Sequence, residues 1–337
     1  MTAASGLLSS CASFDDYLFD DKNDLDDEVV IVGGGIAGLF LAKQLRAKQM
    51  EFRLYEASNY LGGRIKSFSG RDYGASLLSK SDVLAGQLAD ELKLTRIALD
   101  KENYYFADGM QTLVDLLVER IIGLIPYRNF RMRYQLIEIQ KQTSGYELTF
   151  QAGQGQKRVR CERLVLAIPP SQWGRVKGLL DLPEMATAKN LYNAMVTESA
   201  IKLVLPLSSI QGVSRPLVEF NLGNLTVRQI IKKHPTTLPA ELEVFYQTNI
   251  NFSIDYVYSE LKKKLQVNYP FQKLPTDQYY GWSQSAFVQG AYFKLNGSLT
   301  NDKASPLQII GDSVSSVAPN RIEGALQSAK RVAESFV

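Results

Sequence analysis

Gly33-Gly34-Gly35-Ile36-Ala37-Gly38 lies between two short apolar runs, and few folds accommodate that arrangement. The first run, Glu28 to Val32, is flanked by acidic residues, as expected of a buried parallel strand. A helix-forming stretch from Leu39 to Ala47 follows the glycines, and a second strand from Glu51 to Tyr55 ends on Glu56. Strand, glycine turn, helix, strand and acid is the order that gives G-x-G-x-x-G a meaning. Gly33 permits the tight turn, Gly35 lets the backbone approach a pyrophosphate without an intervening Cβ, and Gly38 lets the helix pack on the strand. At the helix start, Ile36 and Ala37 present free N–H groups and a partial positive charge to phosphates. Glu56 stands about twenty residues on, where a carboxylate accepts hydrogen bonds from an adenosine ribose and repels a 2′-phosphate. These residues predict a dinucleotide site that disfavours NADP, and they do not separate FAD from NAD.

With 337 residues the chain has room for two domains. Apolar residues make up 45% and charged residues 22%, so an ordinary core forms without disulfides or metals. The net charge of +3 and the scattered basic residues leave no footprint for nucleic acid; Lys262 to Lys264 read as the solvated face of a helix. Cys11 and Cys161 are too few for a disulfide framework or a zinc site, and Cys161 reads as a buried residue of the alternating stretch Arg158 to Ile168. The single histidine, His234, sits in a polar loop beside Pro235, which argues against Ser-His-Asp, Cys-His and histidine-metal catalysis. The chemistry then falls to carboxylates, lysines, tyrosines or an organic cofactor, and no metal is expected. No stretch reaches the roughly 20 apolar residues of a membrane span. Residues 1–27 read as a leader and acidic linker. Leu8-Ser9-Ser10-Cys11 resembles a bacterial lipobox, but the positive n-region of an export signal is absent. As it stands the chain reads as cytoplasmic; the alternative, if the start is a trimmed signal, is an exported protein, lipid-anchored at Cys11.

Directly after Glu56 comes Ala57-Ser58-Asn59-Tyr60-Leu61-Gly62-Gly63-Arg64. Gly62 and Gly63 let a loop close over a pyrophosphate, and Arg64 supplies a cation to it. The run Tyr55 to Ile65 resembles the second FAD fingerprint of the flavin amine oxidase superfamily. That group takes in monoamine and polyamine oxidases, L-amino-acid oxidases, protoporphyrinogen oxidase and, more distantly, renalase. Further segments resemble the family in its order from Val29 onward. Asp72-Tyr73-Gly74-Ala75 resembles a D-x-G-A segment that lines the flavin through Gly74 and Ala75. Asp108-Gly109-Met110, before a helix from Gln111 to Ile122, resembles the family's G-M-x-x-L. Leu136 to Ile139 resembles a strand whose backbone meets the adenine, and Leu164 to Pro169 the strand that leads toward the substrate domain. Gly311-Asp312 resembles a turn whose acid hydrogen-bonds the ribityl chain. Ile322 to Leu326 then opens a last helix whose N-terminus, with Ile322 and Ala325, faces the flavin pyrimidine. Monoamine oxidases tether flavin through a cysteine at the position that Ala291 holds in Gly290-Ala291-Tyr292, so the resemblance implies non-covalent FAD.

The resemblance also implies a reaction: hydride transfer from a C–N substrate to flavin N5, with re-oxidation by O2 to hydrogen peroxide. Lys202, in the apolar run Ser199 to Leu205, matches the family lysine that assists re-oxidation; the alternative is a strand-edge lysine facing solvent. Trp282 matches a tryptophan beside the flavin, and Tyr292 one wall of an aromatic cage for the amine; either could instead be core. The other wall departs from the family, since Arg321 stands where relatives have an aromatic. A guanidinium there suits a substrate carboxylate or phosphate better than an amine. Renalase-like proteins carry a similar R-[VI]-E-G-A run, whereas Leu77 stands at the carboxylate-binding arginine of L-amino-acid oxidases. Three readings stay open: an amine oxidase, a renalase-like oxidase of dihydronicotinamides or other non-amines, and a flavin-binding protein without turnover.

The expected architecture is α/β: an FAD-binding Rossmann-like (GR2-type) domain with an interleaved α+β substrate domain on a mixed sheet. Residues 28–75, 105–170 and 280–337 are expected in the first, and 76–104 and 171–279 in the second. The partners implied are O2 and a small molecule, an amine or an acidic, nucleotide-like reductant. The sequence carries no signature of oligomeric state.

Overall fold

A computed structural model describes residues 26–68, 71–122, 129–205, 220–222, 225–231, 240–247, 253–265, 279–297, 299 and 302–336. The lipobox-like segment with Cys11, and His234, lie outside the described residues. The glycine-rich unit consists of strand β1 (Asp26–Val32), helix α1 (Ile36–Ala47) and strand β2 (Arg53–Glu56). β1 runs parallel to β2 and, on its other side, parallel to strand Gly155–Leu166. A strand enclosed in this way must be apolar on both faces, and Val29, Val30 and Ile31 are fully buried. β1 begins earlier than its apolar run, because Asp26 and Asp27 find register partners in Arg160 and Cys161. Those two residues therefore belong to the strand, not to the acidic linker.

Across the seven-stranded sheet the order is Phe130–Met132, β2, β1, Gly155–Leu166, Tyr146–Ala152 and Tyr134–Lys141; Leu307–Ile309 also pairs with Gly155–Leu166. One half is parallel and the other an antiparallel meander, so the sheet is mixed. Alternation along β1 sends Val29 and Ile31 into one core, beneath α1 and helices Gln111–Ile122 and Ile322–Ala333. Val30 and Val32 enter a second core with Cys161, Trp173 and Tyr146. A six-stranded antiparallel sheet forms the other unit: Phe220–Leu222, Leu225–Ile231, Ala240–Gln247, Val196–Leu205 and Tyr279–Gly281, with Tyr292–Lys294 beside Val196–Leu205. On helix Ile254–Leu265 the Lys263 side chain is exposed. No helix among the described residues is long and apolar enough to cross a membrane.

Residues 76–104, expected with the second unit, contribute Leu78, Ala85, Leu88 and Tyr104 to the first core. Two polar ties hold this segment against the last helix. The Glu323 carboxylate accepts the N–H groups of Leu84 (3.1 Å) and Ala85 (2.9 Å), in the first turn of helix Val83–Glu91. Arg321 pairs with Asp82, the residue preceding that helix, at 2.7 Å. The cap is thus supplied from across the molecule, which the local sequence does not record.

Helix Gln111–Ile122 is capped in a similar way. The carboxylate of Asp72, fully buried, accepts the Met110 N–H at 2.8 Å and the Ser67 hydroxyl, which itself accepts the Gln111 N–H at 3.0 Å. Asp72→Ala removes a charge-assisted cap and is expected to cost about 1.5–3 kcal/mol. Urea unfolding checks this: the midpoint falls with an unchanged slope, and an unaltered midpoint would deny Asp72 that role.

Candidate functional site

Three glycines of the first turn are glycine for two different reasons. Gly33 has φ +115°, and a Cβ on it would lie 2.6 Å from the Ala167 carbonyl oxygen. A Cβ on Gly38 would lie 2.0 Å from the Gly33 oxygen. The chain's own packing demands both. Gly35 differs: its φ is −71° and ψ 175°, open to any residue, and the nearest atom to an added Cβ is Gly63 Cα at 4.0 Å. Nothing among the described residues requires glycine there. Its bare backbone borders a cavity at the head of α1, the position where a pyrophosphate needs close approach. By this criterion the residues present fit a dinucleotide.

The second fingerprint closes on the first. Gly62 donates its N–H to the Gly34 carbonyl at 2.8 Å, and Gly62 and Gly63 adopt φ of +116° and +61° to make the turn. Glu56 is fixed at the end of β2 by two backbone donors, Gly34 N–H at 2.6 Å and Ser58 N–H at 2.8 Å. A carboxylate has about four lone-pair sites, so two donors leave acceptor capacity for a ribose hydroxyl. Arg64 reaches the C-terminal segments: one guanidinium nitrogen donates to the Ala291 carbonyl at 2.7 Å and another pairs with Asp312. The cation and the acid, expected in separate roles, are therefore partners in one ion pair. Gly311 donates its N–H to the Ser328 hydroxyl of the last helix at 2.9 Å.

Lys202 is 1% exposed and lies on strand Val196–Leu205, in register with Glu243 on one side and Tyr280 on the other. The strand is internal, which excludes a strand-edge lysine in solvent. Its ammonium donates to the Gly74 carbonyl at 3.0 Å and to the Ser76 hydroxyl, joining the second sheet to the segment after the fingerprint. Trp282 is 4% exposed and donates its indole N–H to the Tyr73 carbonyl at 2.8 Å. It packs with Ala200, Val288, Ala291 and Phe293, and this core residue also borders the cavity. Tyr292 is half-buried and borders the cavity from strand Tyr292–Lys294.

One cavity brings these residues together. Ile36, Ala37 and Ala57 border it with the glycines of both fingerprints; Gly74, Ala75 and Leu136 line it further on. Gly311, Asp312, Ile322 and Ala325 approach from the C-terminal side, and Lys202, Trp282, Tyr292 and Arg321 complete the wall. Gly38 stands apart, since its task is packing against Gly33. Arg321 has a partner of its own: its guanidinium serves the buried Asp82. Cys161 belongs to the second core and does not border the cavity.

Several lining residues escape sequence reading. Tyr60 is one; its hydroxyl is pushed above the ordinary tyrosine range by burial, then by Tyr280 and Glu56 nearby. The Lys66 ammonium lies 4.6 Å from the Tyr60 ring centre and 4.5 Å from that of Tyr280, a cation held between two rings. Gln172, Arg175 and Asn320 are others. Their positions depend on contacts between distant segments, and no spacing signals them.

Residues 31–92 match the family of NAD(P)-binding Rossmann-like domains. Over nearly its whole length the chain is similar in structure to putrescine oxidase solved with putrescine bound: TM-score 0.67, 14% identity, 92% of this chain and 98% of that one. It is likewise similar to cyclohexylamine oxidase from Brevibacterium oxydans: TM-score 0.70, 14% identity, 91% of this chain and 98% of that one. What is shared at this identity is the fold, and the α/β Rossmann-like class expected from the sequence is the one found. The mixed sheet, expected in the second unit, is that of the glycine-rich unit, while the described strands of the second unit pair antiparallel.

Proposed function

We propose that the chain is an FAD-dependent oxidoreductase of the amine oxidase type, holding its flavin without a covalent bond. One observation carries the reading: the buried Lys202 of the second sheet donates to Gly74 and shares a cavity with the glycine cradle. A buried ammonium is costly, and its place beside a dinucleotide cradle gives it a task. When bound, FAD supplies a hydride acceptor for the substrate and returns the electrons to O2, giving hydrogen peroxide.

The residues divide the remaining work. Gly35 and the head of α1 receive the pyrophosphate, and Glu56 accepts from the adenosine ribose. Arg64 and Asp312, already paired, hold the second fingerprint against the C-terminal turn beside the cofactor. Lys202 fixes a proton donor where oxygen is reduced, and Trp282 and Tyr292 give the substrate an apolar wall that excludes water. Ala291 offers no thiol for a tether.

The similar solved structures, an oxidase bound to putrescine and an oxidase of cyclohexylamine, make an amine the first substrate class to test. An acidic or nucleotide-like reductant was favoured by Arg321 and by the renalase-like run that it opens, and the pairing of Arg321 with Asp82 draws that charge elsewhere. The test is anaerobic mixing of the FAD-loaded protein with amines, polyamines, amino acids and dihydronicotinamides. Bleaching of the flavin by amines is expected. Bleaching by a dihydronicotinamide alone would overturn the amine reading, and bleaching by none would overturn catalysis.

A further inference from the structure

Gln172 sits in the short helical turn Pro170–Arg175, is 8% exposed and borders the cavity. Its amide nitrogen is buried, and among the described residues it has no hydrogen-bond partner. Both neighbours in the chain are anchored: the Ser171 hydroxyl donates to the Val288 carbonyl, and the fully buried Trp173 donates to the Ile168 carbonyl at 3.3 Å. The turn is therefore held on either side of Gln172. A buried donor without an acceptor is unfavourable, and an apolar side chain of similar length would avoid the penalty.

The surroundings indicate what the donor faces. Just past the turn, Lys177 exchanges backbone hydrogen bonds with the strand that carries Leu136, donating to Ile137 at 2.9 Å and accepting from Ile139 at 3.0 Å. Val176 and Leu136 border the same cavity as Gln172, as do Glu56 at the end of β2 and Ser58 just past it. In a dinucleotide fold the end of the second strand meets the adenosine ribose.

We infer that Gln172 is a binding residue for the adenosine half of the cofactor, donating its amide N–H to an acceptor on the base or ribose. The inference rests on the proposed FAD reading and adds to it a side chain outside both glycine fingerprints. Adenine and ribose both offer such acceptors, and glutamine amides suit adenine edges. Because the donor has no partner to lose among the described residues, this role carries a signature that a structural glutamine lacks. Its removal stabilises the protein without cofactor and weakens the complex.

The test compares wild type, Gln172→Met and Gln172→Glu, each stripped of flavin and titrated with FAD and, separately, with ADP as a probe of the adenosine half. Gln172→Met keeps length and volume without the donor, and Gln172→Glu puts an acceptor in its place. The expected result is about a tenfold loss of affinity for both ligands in Gln172→Met, a larger loss in Gln172→Glu, and a melting temperature of stripped Gln172→Met above that of wild type. Unchanged affinities in both variants would overturn the inference, and so would a lowered melting temperature in stripped Gln172→Met with affinity intact. Failure of wild type itself to bind FAD would overturn the cofactor reading on which the inference stands.

Discussion

Gly35→Val is expected to leave the fold standing and lower FAD affinity by about a hundredfold or more, roughly 2.7 kcal/mol of binding free energy. The two halves of that expectation come from different atoms. The backbone of Gly35 is extended, and the nearest described atom to an added Cβ is 4.0 Å away, so the first carbon of a side chain there meets no strain among the described residues. The residue precedes α1 without a side-chain cap, so the cost to the helix start is at most about 1 kcal/mol, a few degrees in melting temperature. A branched side chain there occupies the space through which a pyrophosphate approaches the α1 amides. Gly38→Val is the control, since its Cβ would lie 2.0 Å from the Gly33 oxygen. That variant is expected to lose the fold itself. Calorimetric FAD titration beside thermal melting separates the two cases, and a Gly35→Val protein with wild-type affinity would remove the cradle from the account.

Lys202→Met carries the second large effect. The substitution replaces a side chain that is 1% exposed with an apolar one of similar length, so the sheet keeps its packing. The carbonyl of Gly74 and the hydroxyl of Ser76 lose one donor, a modest cost against the desolvation of a buried charge that the substitution removes. If Lys202 fixes the proton donor for oxygen reduction, re-oxidation of the reduced flavin slows by about a hundredfold, within the usual range for positioned acid–base groups. Reduction by substrate stays within a few-fold of wild type. Stopped-flow mixing of the pre-reduced protein with O2 reads the first quantity directly. An unchanged rate would make Lys202 a structural tie between the second sheet and the Gly74 segment, and nothing more.

What the sequence discloses about this molecule follows the range of the forces involved. The Gly33–Gly38 turn was legible because local sterics dictate it: Gly33 adopts φ +115° and Gly38 packs against the Gly33 carbonyl. The loop at Gly62 and Gly63 was legible for the same reason. The face of Lys202 was not, because a one-residue slip in register exchanges inside for outside. Only the sheet order, with Ala240–Gln247 on one side and Tyr279–Gly281 on the other, makes that strand internal. Arg321 read as a substrate contact because its partner, Asp82, lies 239 residues away in sequence. The Glu323 cap on helix Val83–Glu91 spans a comparable separation, and through it residues 76–104 join the first core. Gln172 was invisible for a related reason: its isolation is a property of the surrounding fold, and the run Pro169 to Gly174 gives no sign of it.

The central claim is a flavin held without a covalent bond in the cavity beside Gly35. An absorption spectrum of the purified protein after incubation with FAD and removal of the excess, repeated on supernatant and pellet after acid precipitation, tests it most directly. The account requires flavin absorbance in the folded protein that leaves entirely with the supernatant. No flavin absorbance in the protein, or colour that stays with the pellet, would contradict it.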